Sequence, residues 1–254
     1  MTSKILTFVK ETFSLSKCVV CGNIIVGAYY ADEMGNKVCM HHKDKAVICL
    51  SCGCLCIKEK ATIIGHNQFV CESCTSCSPQ DKDVQKITSY VRKVLFDSGI
   101  EGIPSFNLNR VELDVLYEAM GKPCLGLAKY NGVHCDIYVL KYLSRTCFAS
   151  VLAHEMLHLW QYKNGFSLRQ DICEGICNLG SYVVLKSIGT KVAQTRMAII
   201  EKDIDHIYGD GFRKVKSVYD CGGWAMVIKK IKETGKQSSL NINDKDYEFD
   251  VSYT

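Results

Sequence analysis

The residues with the clearest chemical potential lie in one short segment, 151–160, which contains the pattern His-Glu-x-x-His. Apolar residues recur through this segment at helical spacing, so we expect a helix. Side chains four residues apart share a helix face, and His154 and His158 can therefore bind one metal ion. Glu155 lies beside that face, where a carboxylate can take a proton from metal-activated water. The pattern predicts a zinc site, because zinc accepts neutral nitrogen ligands and keeps one position open for water.

The alternative is a buried helix whose two histidines only make hydrogen bonds. The surrounding pattern argues against it. Apolar residues such as Phe148, Leu152 and Leu159 already supply a buried stripe, and the histidines interrupt that stripe. We therefore favour the metal-binding interpretation.

A catalytic zinc site of this type needs a third protein ligand, and Glu174 is the best candidate. It lies fifteen residues past His158 in a second segment of helical spacing, 171–183. A carboxylate that points inward from a helix is costly unless it meets a cation. Two alternatives stay open: Glu174 faces solvent, or Asp171 or another histidine supplies the third ligand.

Cysteine is unusually abundant, with 16 in 254 residues, ten of them before residue 78. The N-terminus lacks the features of a secretory signal, which favours metal binding over disulfides. Seven of the ten cysteines and one histidine form four pairs with two intervening residues, each suited to bind a tetrahedral zinc. The first predicted structural site consists of Cys18, Cys21, Cys39 and His42, and the second consists of Cys49, Cys52, Cys71 and Cys74.

Some ligand assignments within these two sites are open. His41 competes with His42, Cys54 or Cys77 can replace a member of the second set, and Cys56 is a spare thiol. Gly22 and Gly53 each follow the second cysteine of a pair, where a positive φ would turn backbone amides toward the sulfurs. Closed sites of this kind supply folding energy to segments with few large apolar residues.

Composition bounds the class of protein. With 47% hydrophobic residues, 23% charged residues and a formal net charge of +4, the chain is typical of a soluble globular protein. Lys and Arg do not form a run, so neither nucleic acid nor an anionic membrane is an expected partner. No segment reaches the length of a membrane helix. We expect a cytoplasmic protein.

The remaining chain must position the metal helix. We expect helices over 83–96, 111–120, 191–206 and 220–231, a short strand at 106–108, a hairpin of 125–130 and 133–140 around Asn131-Gly132, and a strand or tail over 241–254. Residues 136–140 either form an edge strand that receives an extended substrate or an ordinary sheet strand.

A further catalytic donor is expected near residues 208–213, which two glycines predict to be a loop. If this loop reaches the metal, Tyr208 can hydrogen-bond the developing oxyanion, and His206 is the competing donor. The alternative is that Tyr208 and Phe212 only pack under the last helix.

The cysteine-rich module resembles a LIM domain, two stacked zinc ribbons that bind proteins. It differs in having Cys before His in its second ligand pair and six residues, rather than two, between its two fingers. A RING-like module is the weaker alternative, because a RING binds its two zinc ions through interleaved ligand pairs, which fits the regular pairing here less well.

The wider chain resembles the plant ubiquitin-activated peptidases that limit organ growth, and their bacterial relatives. The resemblance rests on the zinc module, His-Glu-Met-Leu-His-Leu-Trp at 154–160, Glu-Gly-Ile-Cys at 174–177 and Tyr-Gly-Asp-Gly-Phe-Arg at 208–213. It implies a gluzincin-type zinc endopeptidase with Glu174 as third ligand. The plant members carry ubiquitin-interacting motifs ahead of the zinc module, which makes the bacterial form the closer comparison.

Together these inferences predict an α+β protein with two domains. Residues 1–80 would form a LIM-like double zinc ribbon, and residues 81–254 a small, mainly helical zincin-type peptidase domain with a short sheet. The expected function is hydrolysis of protein or peptide bonds with one catalytic and two structural zinc ions, and a protein partner for the ribbon module. The alternative function is a non-enzymatic zinc-binding adaptor.

Overall fold

The computed structural model describes residues 7–9 and 13–238, so the strand or tail predicted at 241–254 lies outside the described residues. Short strands precede a group of helices. The strands are β1 (Thr7–Val9), β2 (Phe13–Lys17), β3 (Ile24–Val26), β4 (Tyr29–Ala31), β5 (Lys37–Cys39), β6 (Ala46–Ile48), β7 (Leu55–Ile57), β8 (Thr62–Ile63), β9 (Phe69–Val70), β10 (Asn107–Val111), β11 (Gly126–Tyr130) and β12 (Cys135–Leu140). The helices are α1 (Glu72–Ser76), α2 (Asp81–Ser98), α3 (Leu113–Met120), α4 (Arg145–Lys163), α5 (Gln170–Ile188), α6 (Lys191–Glu201) and α7 (Gly209–Ser238). The chain is thus a mixed α and β protein with small sheets and several helices.

The cysteine-rich segment folds as two small modules of antiparallel pairs. In the first, β2 pairs with β3, and β4 pairs with both β1 and β5. In the second, β6 pairs with β7 and β8 pairs with β9. We call these modules the first and second ribbon. Each ribbon carries one of the predicted ligand sets at the ends of its strands.

The two ribbons differ in how they are packed. The first has a small core of its own, made by Ile25, Tyr29 and Val38 together with Leu55 of the second ribbon. The second contributes Cys49, Ile64, Val70 and Cys74 to the same buried cluster as the helices. The predicted domain boundary near residue 80 therefore runs between segments that share one hydrophobic core.

The three-stranded sheet has the order β10-β12-β11, with β10 parallel and β11 antiparallel to the central strand. The idea that residues 136–140 form an edge strand is therefore wrong, since β12 is paired on both sides. Its buried residues Ile137, Val139 and Leu140 explain the placement, because a run of apolar side chains is typical of a strand enclosed by the core. The edge next to α4 belongs to β11.

Most helix predictions are confirmed: α2, α3, α4 and α5 cover the expected segments, and the hairpin of β11 and β12 forms around Gly132, whose φ is +91°.

The predicted loop at 208–213 is wrong, because α7 begins at Gly209. The glycines there permit close packing. A Cβ on Gly211 would collide with the Asp171 carbonyl of α5. Non-helical backbone at Gly222 and Gly223 breaks α7 in its middle.

One close approach gives a testable prediction. A Cβ at Gly175 on α5 would collide with the carbonyl oxygen of Gly211, and backbone cannot rotate away. We expect Gly175→Ala to lower the free energy of unfolding by about 3 kcal/mol. Gly180→Ala on the same helix is the comparison, because its Cβ would meet the Leu157 side chain at 2.9 Å and backbone only at 3.6 Å. Its cost should be smaller than that of Gly175→Ala, since a side chain can shift where backbone cannot and Ala also favours helix. Urea denaturation measures both, and equal effects would contradict the prediction.

Candidate metal centre

Helix α4 begins at a defined point and is buried along nearly its whole length. The side chain of Ser144 caps its N-terminus by accepting a hydrogen bond from the Cys147 amide, and Ser144 N donates to Ser51 Oγ of the second ribbon at 3.1 Å. Ser181 Oγ on α5 donates to the Ser150 carbonyl at 2.7 Å. These contacts fix α4 against both the ribbon and α5.

Three predicted metal ligands converge between α4 and α5. His154 Nε2 lies 3.2 Å from His158 Nε2 and 3.1 Å from Glu174 Oε2. His158 Nε2 lies 3.6 Å from the same carboxylate oxygen. All three side chains are at most 14% exposed. Ligands bound to tetrahedral zinc at 2.0–2.1 Å are about 3.3 Å apart, so the donor set fits such an ion in both chemistry and spacing.

Cys177 offers a second way to complete the group. One potential ligand atom each from His154, His158 and Cys177 lies within 4.8 Å of the others. The Cys177 thiol is fully buried and accepts a hydrogen bond from Gln161 Nε2 at 3.1 Å, and burial raises its pKa well above the usual range. We favour Glu174, because its oxygen lies 3.1 and 3.6 Å from the two imidazoles and a carboxylate binds zinc without first losing a proton, as a thiol must.

The side chains of this group are electrostatically coupled. Burial raises the pKa of Glu174, but hydrogen bonds with His154 and His158 outweigh it and hold that pKa well below its usual range. Burial lowers the pKa of His158, whereas its bonds with Cys173 and Glu174 raise it to about 10. The buried Glu174 carboxylate thus meets the positive charge of the His158 imidazole, and a bound cation would take over that role.

Glu155 lies on the β11 side of α4. It is 4% exposed, and burial raises the pKa of its carboxyl group. It accepts a hydrogen bond from the backbone of Ala128, which belongs to the edge strand. Gly126 makes room for it, since a Cβ there would lie 2.7 Å from Glu155 Oε1. Glu155 is therefore not part of the ligand group but adjoins it.

Tyr208 and His206 lie in different environments. Tyr208 lines the same cavity as His154, and burial followed by the charge of Glu174 raises the pKa of its hydroxyl above the usual range. The Tyr208 backbone is held by Asp205 Oδ1, which accepts from its amide at 2.9 Å. The His206 side chain is 94% exposed and pairs with Asp210 at 2.8 Å. Of the two candidates, only Tyr208 lines the cavity beside the metal-binding group.

Sequence reasoning missed two neighbours of this group. Cys173 Sγ lies 3.7 Å from His158 Nδ1, the ring nitrogen that faces away from the other ligands. The Tyr162 ring stacks on the His158 ring with centroids 6.1 Å apart. Helical spacing contained a signal for Tyr162, which lies four residues past His158, but none for Cys173, because adjacent residues do not share a helix face.

The first structural set comes together as predicted. One ligand atom each from Cys18, Cys21, Cys39 and His42 lies within 4.8 Å of the others. Cys39 Sγ and His42 Nδ1 are 3.1 Å apart, while His41 is exposed and outside the group. Burial raises the pKa of Cys18, but backbone amides lower it to about 7, which favours the thiolate that binds metal.

The second structural set also comes together. Cys49, Cys52, Cys71 and Cys74 place one sulfur each within 4.8 Å of the others, and Cys54 and Cys77 are outside this group. The amides of Cys52 and Cys71 donate to Cys49 Sγ at 3.4 and 3.3 Å. Gly22 and Gly53 have φ of +74° and +82°, as expected for turns that direct amides toward sulfur. Both clusters can therefore hold a metal ion.

Comparison with known proteins links the chain to one family. Residues 128–198 match the family described as DA1-like: Protein DA1. Protein DA1 of Arabidopsis thaliana is 29% identical over 129 residues, covering 39% of this chain and 24% of that protein. Protein DA1-related 7 of the same plant is 22% identical over 300 residues, covering 87% of this chain and 54% of that protein. No solved structure matches the chain significantly.

These matches are partial. The chain spans about a quarter to about a half of the length of these relatives. The family region contains the two histidines, Glu155 and Glu174, and it ends before Tyr208. The matches support the resemblance to the plant family that the motifs indicated. Within the described residues, every helix is too short or too polar to cross a membrane.

Proposed function

We propose that this chain is a zinc-dependent endopeptidase. One observation carries the proposal: His154 Nε2, His158 Nε2 and Glu174 Oε2 converge within 3.1–3.6 Å beside the buried carboxyl group of Glu155. Two nitrogens and one oxygen would hold zinc and leave a fourth position for water. A bound zinc would lower the pKa of that water and polarise the scissile carbonyl.

In this proposal Glu155 is the general base. Its carboxylate takes a proton from the attacking water and later passes it to the nitrogen of the leaving amine. Burial, which raises the pKa of Glu155, makes the carboxylate a better proton acceptor. The Ala128 amide holds the carboxylate in place, and Gly126 keeps β11 close to it. Buried surroundings also keep bulk water from competing for the proton.

The edge strand β11 is suited to orient the substrate. Among the described residues β11 pairs only with β12, which leaves backbone groups on its other side for an extended polypeptide. Added as a further strand, the substrate would lie along β11 and pass close to Glu155. This role, first considered for β12, belongs to β11 in the proposal.

Tyr208 is proposed to donate a hydrogen bond to the developing oxyanion. Its hydroxyl is neutral at physiological pH, because burial and nearby carboxylates raise its pKa. We expect Tyr208→Phe to lower kcat about a hundredfold with little change in KM and zinc content, as for loss of one oxyanion donor. His206→Ala should leave kcat unchanged, because that side chain is 94% exposed. Steady-state kinetics would contradict this assignment if the two variants behaved alike.

The proposal is tested with purified protein and an unstructured polypeptide such as casein. We expect internal cleavage that a zinc chelator stops and added zinc restores. The adaptor alternative predicts no cleavage under any metal condition. The first ribbon, which exposes Ile24 and Val26, is where a protein partner would be sought in that case.

A further inference from the structure

A cavity of about 510 Å³ lies directly beside His154, between the second ribbon and the helices. Leu125 and Val151, each at most 3% exposed, form its buried apolar part. Half-buried side chains from two elements also line the space: Ile48 and Leu50 from the ribbon, and Ile199 and Ile200 from α6. Tyr208 also lines it. The cavity is therefore continuous with the candidate metal centre.

The ribbon wall of this cavity is firmly attached. Arg196 on α6 donates from Nη1 to the Ser51 carbonyl at 2.6 Å. Ser51 is fully buried and its hydroxyl accepts from the α4 cap at Ser144. Cys49, next to Leu50, is also fully buried within the second cysteine cluster. The position of Leu50 thus depends on the cluster that can hold a structural metal.

The charges around the cavity influence which substrate side chains it can accept. The described residues that line it include two cations, Lys122 and Arg196, and one carboxylate, Asp203, so the lining carries an excess of positive charge. An excess of positive charge disfavours a lysine or arginine side chain inside. Apolar walls favour a large aliphatic or aromatic one, since burying it removes apolar surface from water.

We propose that the second ribbon forms one wall of a substrate subsite, which takes a large apolar side chain of a polypeptide next to the scissile bond. The inference rests on the proposed peptidase function and extends it. It assigns the ribbon a direct part in substrate selection, in addition to any partner binding. It also makes selectivity dependent on the Cys49, Cys52, Cys71 and Cys74 cluster.

The first experiment measures cleavage of matched peptides that carry Leu, Phe, Ala or Lys beside the scissile bond. We expect Leu and Phe to exceed Ala about tenfold in kcat/KM, with Lys poorest. Leu50→Ala in the ribbon and Ile200→Ala on α6 should each reduce the Leu-to-Ala ratio about tenfold. The control is Ile63→Ala, in the same ribbon but 68% exposed and outside the cavity, which should keep the wild-type ratio. Should Leu50→Ala fail to fold, Ile200→Ala carries the same test from outside the ribbon.

The second experiment needs no cleavage. Glu155→Gln protein is mixed with a peptide that carries photo-leucine, irradiated and analysed by mass spectrometry. Crosslinks at Leu50 and Ile199–Ile200 support the subsite, even if the wild-type protein cleaves nothing and the peptidase proposal fails. Cleavage with an unchanged Leu-to-Ala ratio in both variants, or crosslinks only outside the cavity, would overturn the subsite while leaving the peptidase proposal standing. Absence of both cleavage and crosslinks would overturn both.

Discussion

Glu155→Gln should reduce peptide cleavage about a thousandfold while the zinc content stays at the wild-type value. The expected loss follows from the size of general-base catalysis, which contributes 10²–10⁴-fold in typical enzymes. Gln has the shape of Glu but cannot accept the proton of the attacking water. Zinc should stay because Glu155 adjoins the ligand group without belonging to it.

Two features make this substitution informative. Gln occupies the same space between α4 and Gly126, where a Cβ would already come within 2.7 Å of Glu155 Oε1. A loss of activity in Glu155→Gln therefore reflects the missing carboxylate and not a change in how the side chain packs. The control is Glu118→Gln on α3, an exposed carboxylate that should cleave at the wild-type rate. Wild-type cleavage by Glu155→Gln would remove Glu155 from the mechanism.

Glu174→Ala should lower the zinc content from about three ions per chain to about two, as measured by elemental analysis. In the proposed site this carboxylate is one of three protein ligands, and its loss would leave His154 and His158 alone there. The two cysteine clusters are remote from the substitution along the chain and should keep their ions. Cleavage should disappear together with the third zinc.

Two companion variants decide between the candidate ligands. Asp171→Ala removes an acid that already pairs with Arg169 and Lys214, so it should keep three zinc ions. Cys177→Ala tests the thiol that also lies near both histidines. Three ions in Glu174→Ala but two in Cys177→Ala would transfer the ligand role to Cys177. Two ions already in the wild-type protein would argue for the adaptor.

Local spacing was enough for parts of both the fold and the site. His154 and His158 lie four apart on α4, and a helix of any protein would bring them to one face. The paired cysteines predicted both clusters, because a two-residue spacing brings both ligands of a pair within reach of one metal, although joining two pairs depends on the strands between them. The helices α2 to α5 followed from apolar periodicity for the same reason.

Other features depend on contacts between segments that are distant in sequence. Whether Glu174 meets the histidines depends on how closely α4 and α5 pack, and Gly180 permits that approach. Whether β12 lies at an edge depends on its pairing with β10, which precedes α3 in the sequence, whereas β12 follows it. The glycines of residues 208–213 predict a loop in isolation, yet here they let the start of α7 lie against α5.

The sequence by itself thus predicted which residues could bind metal and which carboxylate could act as a base, because these predictions rest on residue type and short spacing. Only the tertiary structure decided that Tyr208 rather than His206 lines the cavity, that β11 is the edge strand beside Glu155, and that Leu50 of the second ribbon lines the same cavity as His154. The physical reason is that burial and proximity are set by the packing of whole elements, and a pattern confined to one element carries no information about its neighbours.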